Sequence, residues 1–380
     1  MPDETVVPAR KLDHLRINLK DDVQFAQLTN GLERYRFIPR ALPNLNLDDI
    51  DLSARLFGKK LRSPLLISSM TGGAEQTYRI NKTLATAAQA MGIAMGLGSQ
   101  RAALEDQSVA YTYQVRSVAP DILLFANLGA IQLNYTYTID HCRRAVDMIQ
   151  ADALILHLNA IQEAVQAEGN TRWKNLLPKI EKVCRALDVP VIAKEVGFGI
   201  AGDTARQLKN AGVAAIDVAG AGGTSWAAVE SRRASSKLLR ELAEAFWNWG
   251  IPTADALVAA KRAAPKLPLI ASGGIRDGIE VAKCIALGAQ LVGLASPMLK
   301  LADVGVEDLI EGIKLINETL RVAESALRYT QGKLRTQRIQ KFFLSALSVL
   351  SGEISACVAS IINSEWTNSS PRWTRHYARL

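Results

Sequence analysis

Residues 269–296 read LIASGGIRDGIEVAKCIALGAQLVGLAS. A short apolar run, LIAS, closes in a glycine pair. The stretch that follows, GIEVAKCIALG, spaces its apolar residues as a helix does and stops at glycine, and a second apolar run, LVGLAS, begins at once. Outward from this unit, the same alternation recurs from Pro64 to Pro297. Its apolar runs are LLISSM (65–70), IAMGLGS (93–99), LLFANLG (123–129), ALILHLN (153–159), VIAKEVG (191–197), AIDVAGAGG (215–223), LIASGGI (269–275) and LVGLAS (291–296). Strands so continuously apolar are buried on both faces, as in a parallel sheet. Helical stretches such as NKTLATAAQAMG, HCRRAVDMIQ and TARQLKNAG lie between them. Eight such units over this length predict an α/β fold, a closed (β/α)8 barrel. The competing open, doubly wound sheet would place GxGxxG after its first strand, where this chain has SSMTGG.

The expected organisation is an N-terminal extension over residues 1–63 folding across one end of the barrel, the barrel at 64–330, and a separate tail at 331–380. The connection after the sixth strand (224–267) contains two helical patterns, RRASSKLLRELAEAFWNWG and TADALVAAKRAA.

With 48% hydrophobic and 22% charged residues among 380, the composition is globular, and the core needs no disulfide or structural metal. Cys142, Cys184, Cys284 and Cys357 form no CxxC pair, which fits reduced thiols in a cytoplasmic protein. The N-terminus has no apolar core of a signal peptide. Of the net charge of +8, the residues from Gln331 onward carry five, with seven basic side chains against Glu353 and Glu365. No basic run interleaved with aromatics marks a nucleic-acid surface. The run FFLSALSVLSGEISACVASII is about long enough to span a bilayer, but Glu353 in its middle argues for a packed or divergent tail over an anchor.

In such a barrel the chemistry sits at the carboxyl ends of the strands. Read in order, those ends offer Ser68, Ser69, Met70, Thr71, Ser99, Gln100, Arg101, Asn127, His157, Asn159, Gln162, Glu163 and Lys194. The glycine clusters GAGGTSW and SGGIRDG, with Ala295 and Ser296, leave backbone N–H groups free for a phosphate beside a helix N-terminus. Lys194 lies inside a buried strand and needs an anion at the barrel mouth, such as a reduced flavin ring near N1; a lysine that forms a Schiff base with a carbonyl substrate is the rival reading. Alternation sends its neighbour Glu195 to the opposite face. Before the barrel, Arg10, Lys11 and His14 fall within two helical turns and could clamp a diphosphate together with Arg101.

These residues resemble the type 2, FMN-dependent isopentenyl-diphosphate isomerases. The carrying motifs are RKLDHL, SSMTGG, GLGSQR, ANLGA, HLNAIQEAVQAEGNT, AKEVGFG, DVAGAGGTSW, ASGGIRDG and GLASP, spread over roughly residues 8–300. That family interconverts isopentenyl and dimethylallyl diphosphate with reduced FMN, a divalent cation (usually Mg²⁺) and a reductant such as NADPH, without net redox change. The resemblance implies that Ser68, Ser69, Met70, Thr71, Ser99, Asn127, Lys194 and Thr224 hold the flavin. Gly274, Ile275, Arg276, Ala295 and Ser296 would hold its phosphate. It further implies that Arg10, Lys11, His14, Ser99, Gln100, Arg101, His157, Asn159 and Gln162 bind the substrate, with His157 and Gln162 at the reacting carbons. Glu163 would carry the metal, as a hard carboxylate suits Mg²⁺. A cytoplasmic homo-oligomer, tetrameric or larger, is implied as well.

Two features depart from the family pattern. Ala160 stands where the HLN motif is usually followed by proline, and residues from about Ala326 do not follow the usual terminal helix. Other FMN barrels fit less well. A 2-hydroxy-acid oxidase needs a histidine base late in the barrel, but the histidines are His14, His141, His157 and His376. An inosinate-type dehydrogenase needs a cysteine after the sixth strand, where GAGGTSW has none. A flavin-binding protein without catalysis is the rival of a different class, and would have no use for Gln162 and Glu163.

Overall fold

Each of the eight apolar runs forms a strand in the computed structural model, which describes residues 6–39 and 41–327. A helix, α1 (Val6–Lys20), opens the chain, and a short hairpin follows, β1 (Ala54–Leu56) and β2 (Lys59–Leu61). The barrel strands are β3 (Leu65–Ile67), β4 (Ala94–Gly96), β5 (Leu124–Gly129), β6 (Ala153–Leu158), β7 (Val191–Glu195), β8 (Ala215–Asp217), β9 (Leu269–Ser272) and β10 (Leu291–Leu294). All pair in parallel in chain order, and β10 closes on β3 with Val292 opposite Leu65. The helices are α2 (Glu75–Met91), α3 (Arg101–Glu105), α4 (Ile139–Ile149), α5 (Ala160–Val165), α6 (Leu177–Ala186) and α7 (Gly202–Asn210). They continue with α8 (Trp226–Arg233), α9 (Lys237–Ala245), α10 (Thr253–Ala263), α11 (Gly278–Ala286), α12 (Ser296–Val304) and α13 (Val306–Leu327). The expected closed (β/α)8 barrel is the observed fold.

The amino ends of the strands are filled by apolar side chains. Leu66, Phe125, Ile155, Ile192 and Ile270 meet inside the barrel, and Leu56 and Leu61 of the hairpin complete the same cluster from below. The hairpin can plug the barrel because its turn, Phe57-Gly58, takes positive φ at both residues (47° and 80°), the geometry that matches strand twist. Phe57 adopts this costly conformation while its ring packs edge-on against Phe125, 6.4 Å away. Lys59 ties the hairpin down through Asp152 at 2.7 Å and the carbonyl of Ile122.

The opposite, carboxyl end is covered by a different part of the N-terminal segment. α1 packs on α8, α12 and α2. Residues 23–25 then run along the loop after β8, where Phe25 N–H donates to Gly223 and Ser225 N–H donates to Val23. The long connection after β8 holds three helices where two patterns were read. The Ser236 hydroxyl accepts from Leu239 N–H and starts α9 afresh, so the first pattern breaks between Arg233 and Lys237.

Among the described residues no helix is long and apolar enough to cross a membrane. The apolar run 342–362 and the rest of the 331–380 tail lie outside the described residues.

Candidate active site

A cavity of about 180 Å³ opens at the carboxyl ends of the strands. Arg10, Lys11 and His14 line it from α1, Ser69, Met70, Thr71 and Ser99 from the loops after β3 and β4, and Arg101 from the start of α3. Asn127, His157, Asn159, Gln162, Glu163, Lys194, Thr224 and Ser296 complete the expected set at its wall. Four cationic side chains therefore surround one carboxylate, Glu163, among the described lining residues. Such a balance favours an anionic ligand that arrives with a cation.

Lys194 and Asp217 face each other across the paired strands β7 and β8, with Nζ 3.1 Å from Oδ2. Both are buried, and Ser272 Oγ donates to Asp217 Oδ1 at 2.6 Å. Glu195, next in line, points the other way. Its Oε2 receives the N–H groups of Val196, Gly197 and Phe198 at 2.5–2.6 Å and so caps its own turn. Burial still pushes that carboxyl up to about 7.

His157 Nδ1 lies 2.8 Å from Asn127 Oδ1, which fixes that nitrogen as the protonated one and leaves Nε2 as an acceptor. Burial, then the charges of Lys11, Lys194 and Arg10, hold the imidazole neutral down to about pH 3. Lys11 donates to the carbonyl of Ser99 at 3.3 Å. Burial, with Arg10 and Arg101 nearby, lowers its pKa to about 7, so the ammonium is poised to lose its proton near neutrality. Tyr113 Oη donates to the same Ser99 carbonyl, and its ring lies where a Cβ on Gly72 would have to go, 2.0 Å away. The glycines of SSMTGG therefore let that loop pass under Tyr113.

Gln162 Nε2 donates to Glu230 Oε1 at 3.0 Å and its Oε1 accepts from Asn159 at 3.2 Å, which orients the amide at both ends. His14 Nε2 lies 3.1 Å from the same Glu230 oxygen, and Arg233 holds the other at 2.6 Å. Burial alone would raise the Glu230 carboxyl; the hydrogen bond from His14, the Arg233 charge and the Gln162 amide overcome it and hold the group at about 2. Arg233 also reaches Glu168, which lies 3.8 Å from Arg10. Glu163 receives Asn159 Nδ2 at 3.0 Å and the Asn170 N–H at 2.5 Å.

Six expected residues do not line the cavity. Gln100 is fully buried: its amide donates to the Ala145 carbonyl at 2.7 Å and accepts from Asn127 N–H at 3.0 Å, so it braces the wall. Ser68 Oγ sits against Gly293, where a Cβ would come within 2.4 Å. Gly274, Ile275, Arg276 and Ala295 belong to the loops beside it. The Arg276 guanidinium donates to the carbonyls of Gly274 (2.8 Å) and Gly222 (3.3 Å).

Asp217, Glu230, Tyr113 and Trp226 were not singled out from the sequence. Two of them left a signal: Asp217 is an acid inside a buried strand, and Glu230 follows the fully apolar turn Ala227-Ala228-Val229. Trp226 lines the cavity and meets the His14 ring edge-on at 5.1 Å.

A profile of the family described as FMN-dependent dehydrogenase matches residues 4–116 and 133–322. Proteins named isopentenyl-diphosphate delta-isomerase are similar over most of the chain. The one from Nostoc is 55% identical over 312 residues, covering 81% of this chain and 89% of its own. Those from Stutzerimonas stutzeri and Rickettsia felis are 55% and 50% identical over 83% and 82% of this chain, and over 91% and 90% of their own. Among solved structures, a mandelate oxidase complex with (S)-mandelic acid superposes with a TM-score of 0.57 at 20% identity, over 85% of this chain and 90% of that one. A flavocytochrome b2 with pyruvate gives 0.59 at 16%, over 84% and 78%. At that identity the structures speak for the fold alone, whereas the sequence relatives fix the branch. The chain belongs to the FMN-dependent dehydrogenase family, among the isopentenyl-diphosphate delta-isomerases.

Proposed function

We propose that the barrel mouth binds FMN and a small diphosphate together and interconverts isopentenyl and dimethylallyl diphosphate. The observation that carries the reading is the cavity itself: among the described lining residues Arg10, Lys11, Arg101 and Lys194 surround a single carboxylate, beside an amide fixed at both ends.

The residues present fit a flavin. Ser68 Oγ and Ser69 Oγ are buried without a hydrogen-bond partner among the described residues, and Asn159 Oδ1 is as well. Lys194 brings a buried cation to the mouth. Ser68, Ser69, Met70, Thr71, Ser99, Asn127, Lys194 and Thr224 would hold the ring, with Gly274–Arg276, Ala295 and Ser296 about its phosphate. When bound and reduced, the flavin supplies electron density that stabilises positive charge developing on the alkene.

The remaining work falls to side chains. Arg10, Lys11 and Arg101 neutralise the diphosphate, with His14, Ser99, Gln100 and Asn159 completing or bracing that pocket. His157 supports the bound substrate through its free Nε2. Isomerisation adds a proton at the terminal methylene carbon and removes one from the carbon two bonds nearer the diphosphate. Gln162 is assigned to hold or pass a proton at Oε1 on the open face of the alkene, with His157 beside it. Glu163 suits Mg²⁺, which keeps most of its waters and is commonly bound by one or two carboxylates plus substrate phosphates. NADPH as the reductant, a cytoplasmic location and a homo-oligomer of four or more chains complete the reading, and the resemblance alone supports them.

Full-length protein reconstituted with FMN is expected to retain a flavin absorbance band through gel filtration. Folded protein that stays colourless overturns the proposal.

A further inference from the structure

Three carbonyls in the glycine loops are drawn to one set of donors. Gly274 O accepts from Asn30 Nδ2 and from Arg276 Nη1, both at 2.8 Å. Gly222 O accepts from Arg276 Nη2, and Gly223 O from the N–H of Phe25. There is no cis peptide bond among the described residues, so in each of these peptide units the N–H points away from the carbonyl. Holding the three carbonyls therefore turns the N–H groups of Ile275, Gly223 and Thr224 the other way. No hydrogen bond among the described residues takes up any of these three. The two loops also abut, since a Cβ on Gly223 would lie 2.5 Å from Gly274 N.

Asn30 is the centre of this arrangement. It is 3% exposed, and its amide bridges Gly274 O and Glu280 Oε1, both at 2.8 Å. The second Glu280 oxygen accepts the Arg276 N–H. Its backbone lies directly on the other glycine loop: a Cβ on Gly222 would come within 2.1 Å of Asn30 N. One buried residue thus meets both loops, the Gly274 loop through its side chain and the Gly222 loop through its backbone.

We infer that Asn30 is a positioning residue for the flavin phosphate: its amide sets the Gly274–Ile275 peptide plane, whose N–H receives that phosphate beside those of Gly223 and Thr224, without touching the ligand. The inference rests on the FMN reading above and deepens it. Since it concerns the phosphate and not the ring, riboflavin, which lacks the phosphate, separates a positioning role from a structural one.

The experiment titrates FMN and riboflavin separately into wild-type and Asn30→Ala protein, follows flavin fluorescence, and records the melting temperature of each apoprotein. Losing one held peptide plane is expected to weaken FMN by about tenfold. Riboflavin affinity should stay near wild type, and turnover at saturating FMN should recover. Glu280→Gln, which sets an amide against one of two donors, covers the case in which Asn30→Ala does not fold, and should lower the FMN-to-riboflavin preference in the same direction. An unchanged preference in the folded variants, whatever the melting temperatures, overturns the inference. Wild-type protein that binds neither flavin overturns the FMN reading itself.

Discussion

Gln162 Nε2 and Glu230 Oε1 are joined by a 3.0 Å hydrogen bond although they stand on separate helices, α5 and α8. The carboxylate fixes which way the amide faces. Glu230→Gln keeps the shape and removes the charge shared with His14 and Arg233. It is expected to lower kcat by roughly tenfold or more with little change in flavin affinity, since the orienting hydrogen bonds to a charged group are worth about 1.5–3 kcal/mol. Steady-state kinetics on flavin-loaded protein checks this.

The same carboxylate makes an acid-stability prediction. Its folded pKa, about 2, lies below the ordinary 4.5, so its stabilisation is complete above pH 4.5 and is lost as pH falls toward 2. Urea unfolding at pH 6 and pH 3 should show a smaller acid loss in Glu230→Gln than in wild type.

Lys11 gives the opposite kind of dependence. With its pKa lowered from 10.5 to about 7, the ammonium required by an anionic substrate is progressively lost above neutrality. KM for the diphosphate should climb between pH 7 and 9, by up to about tenfold per unit if only the charged form binds. Lys11→Arg keeps its charge throughout that range and should flatten the climb.

The eight strands were legible because parallel strands buried on both faces leave continuous apolar runs. The site residues were legible because this fold gathers strand ends. Partners were harder. Lys194 meets Asp217 only through the register of β7 on β8, and in the sequence Glu195 was the nearer acid. His14 and Glu230 are separated by 216 positions, and no spacing rule links them. Gln100 shows the converse: flanked by two cavity residues, it turns inward because the local backbone aims it at α4.

Asp217→Asn leaves the buried Lys194 ammonium without its counter-charge. Breaking such a pair costs about 3–5 kcal/mol. Chemical denaturation of the apoprotein should register that loss, and Lys194→Met in the Asp217→Asn background should recover part of it.

Glu163→Gln removes the one cavity-lining carboxylate among the described residues. The Mg²⁺ concentration for half-maximal turnover should rise at least about tenfold, since a protein holds Mg²⁺ chiefly through one or two carboxylates plus substrate phosphates. Chelation of Mg²⁺ by excess EDTA should abolish wild-type turnover reversibly.

The most direct test is conversion of isopentenyl diphosphate in D2O under anaerobic conditions with reduced FMN and Mg²⁺, followed by proton NMR. The account predicts dimethylallyl diphosphate carrying solvent deuterium in a methyl group, with turnover reduced roughly a hundredfold in Gln162→Ala while flavin stays bound. Folded, flavin-loaded wild-type protein that forms no dimethylallyl diphosphate would contradict it.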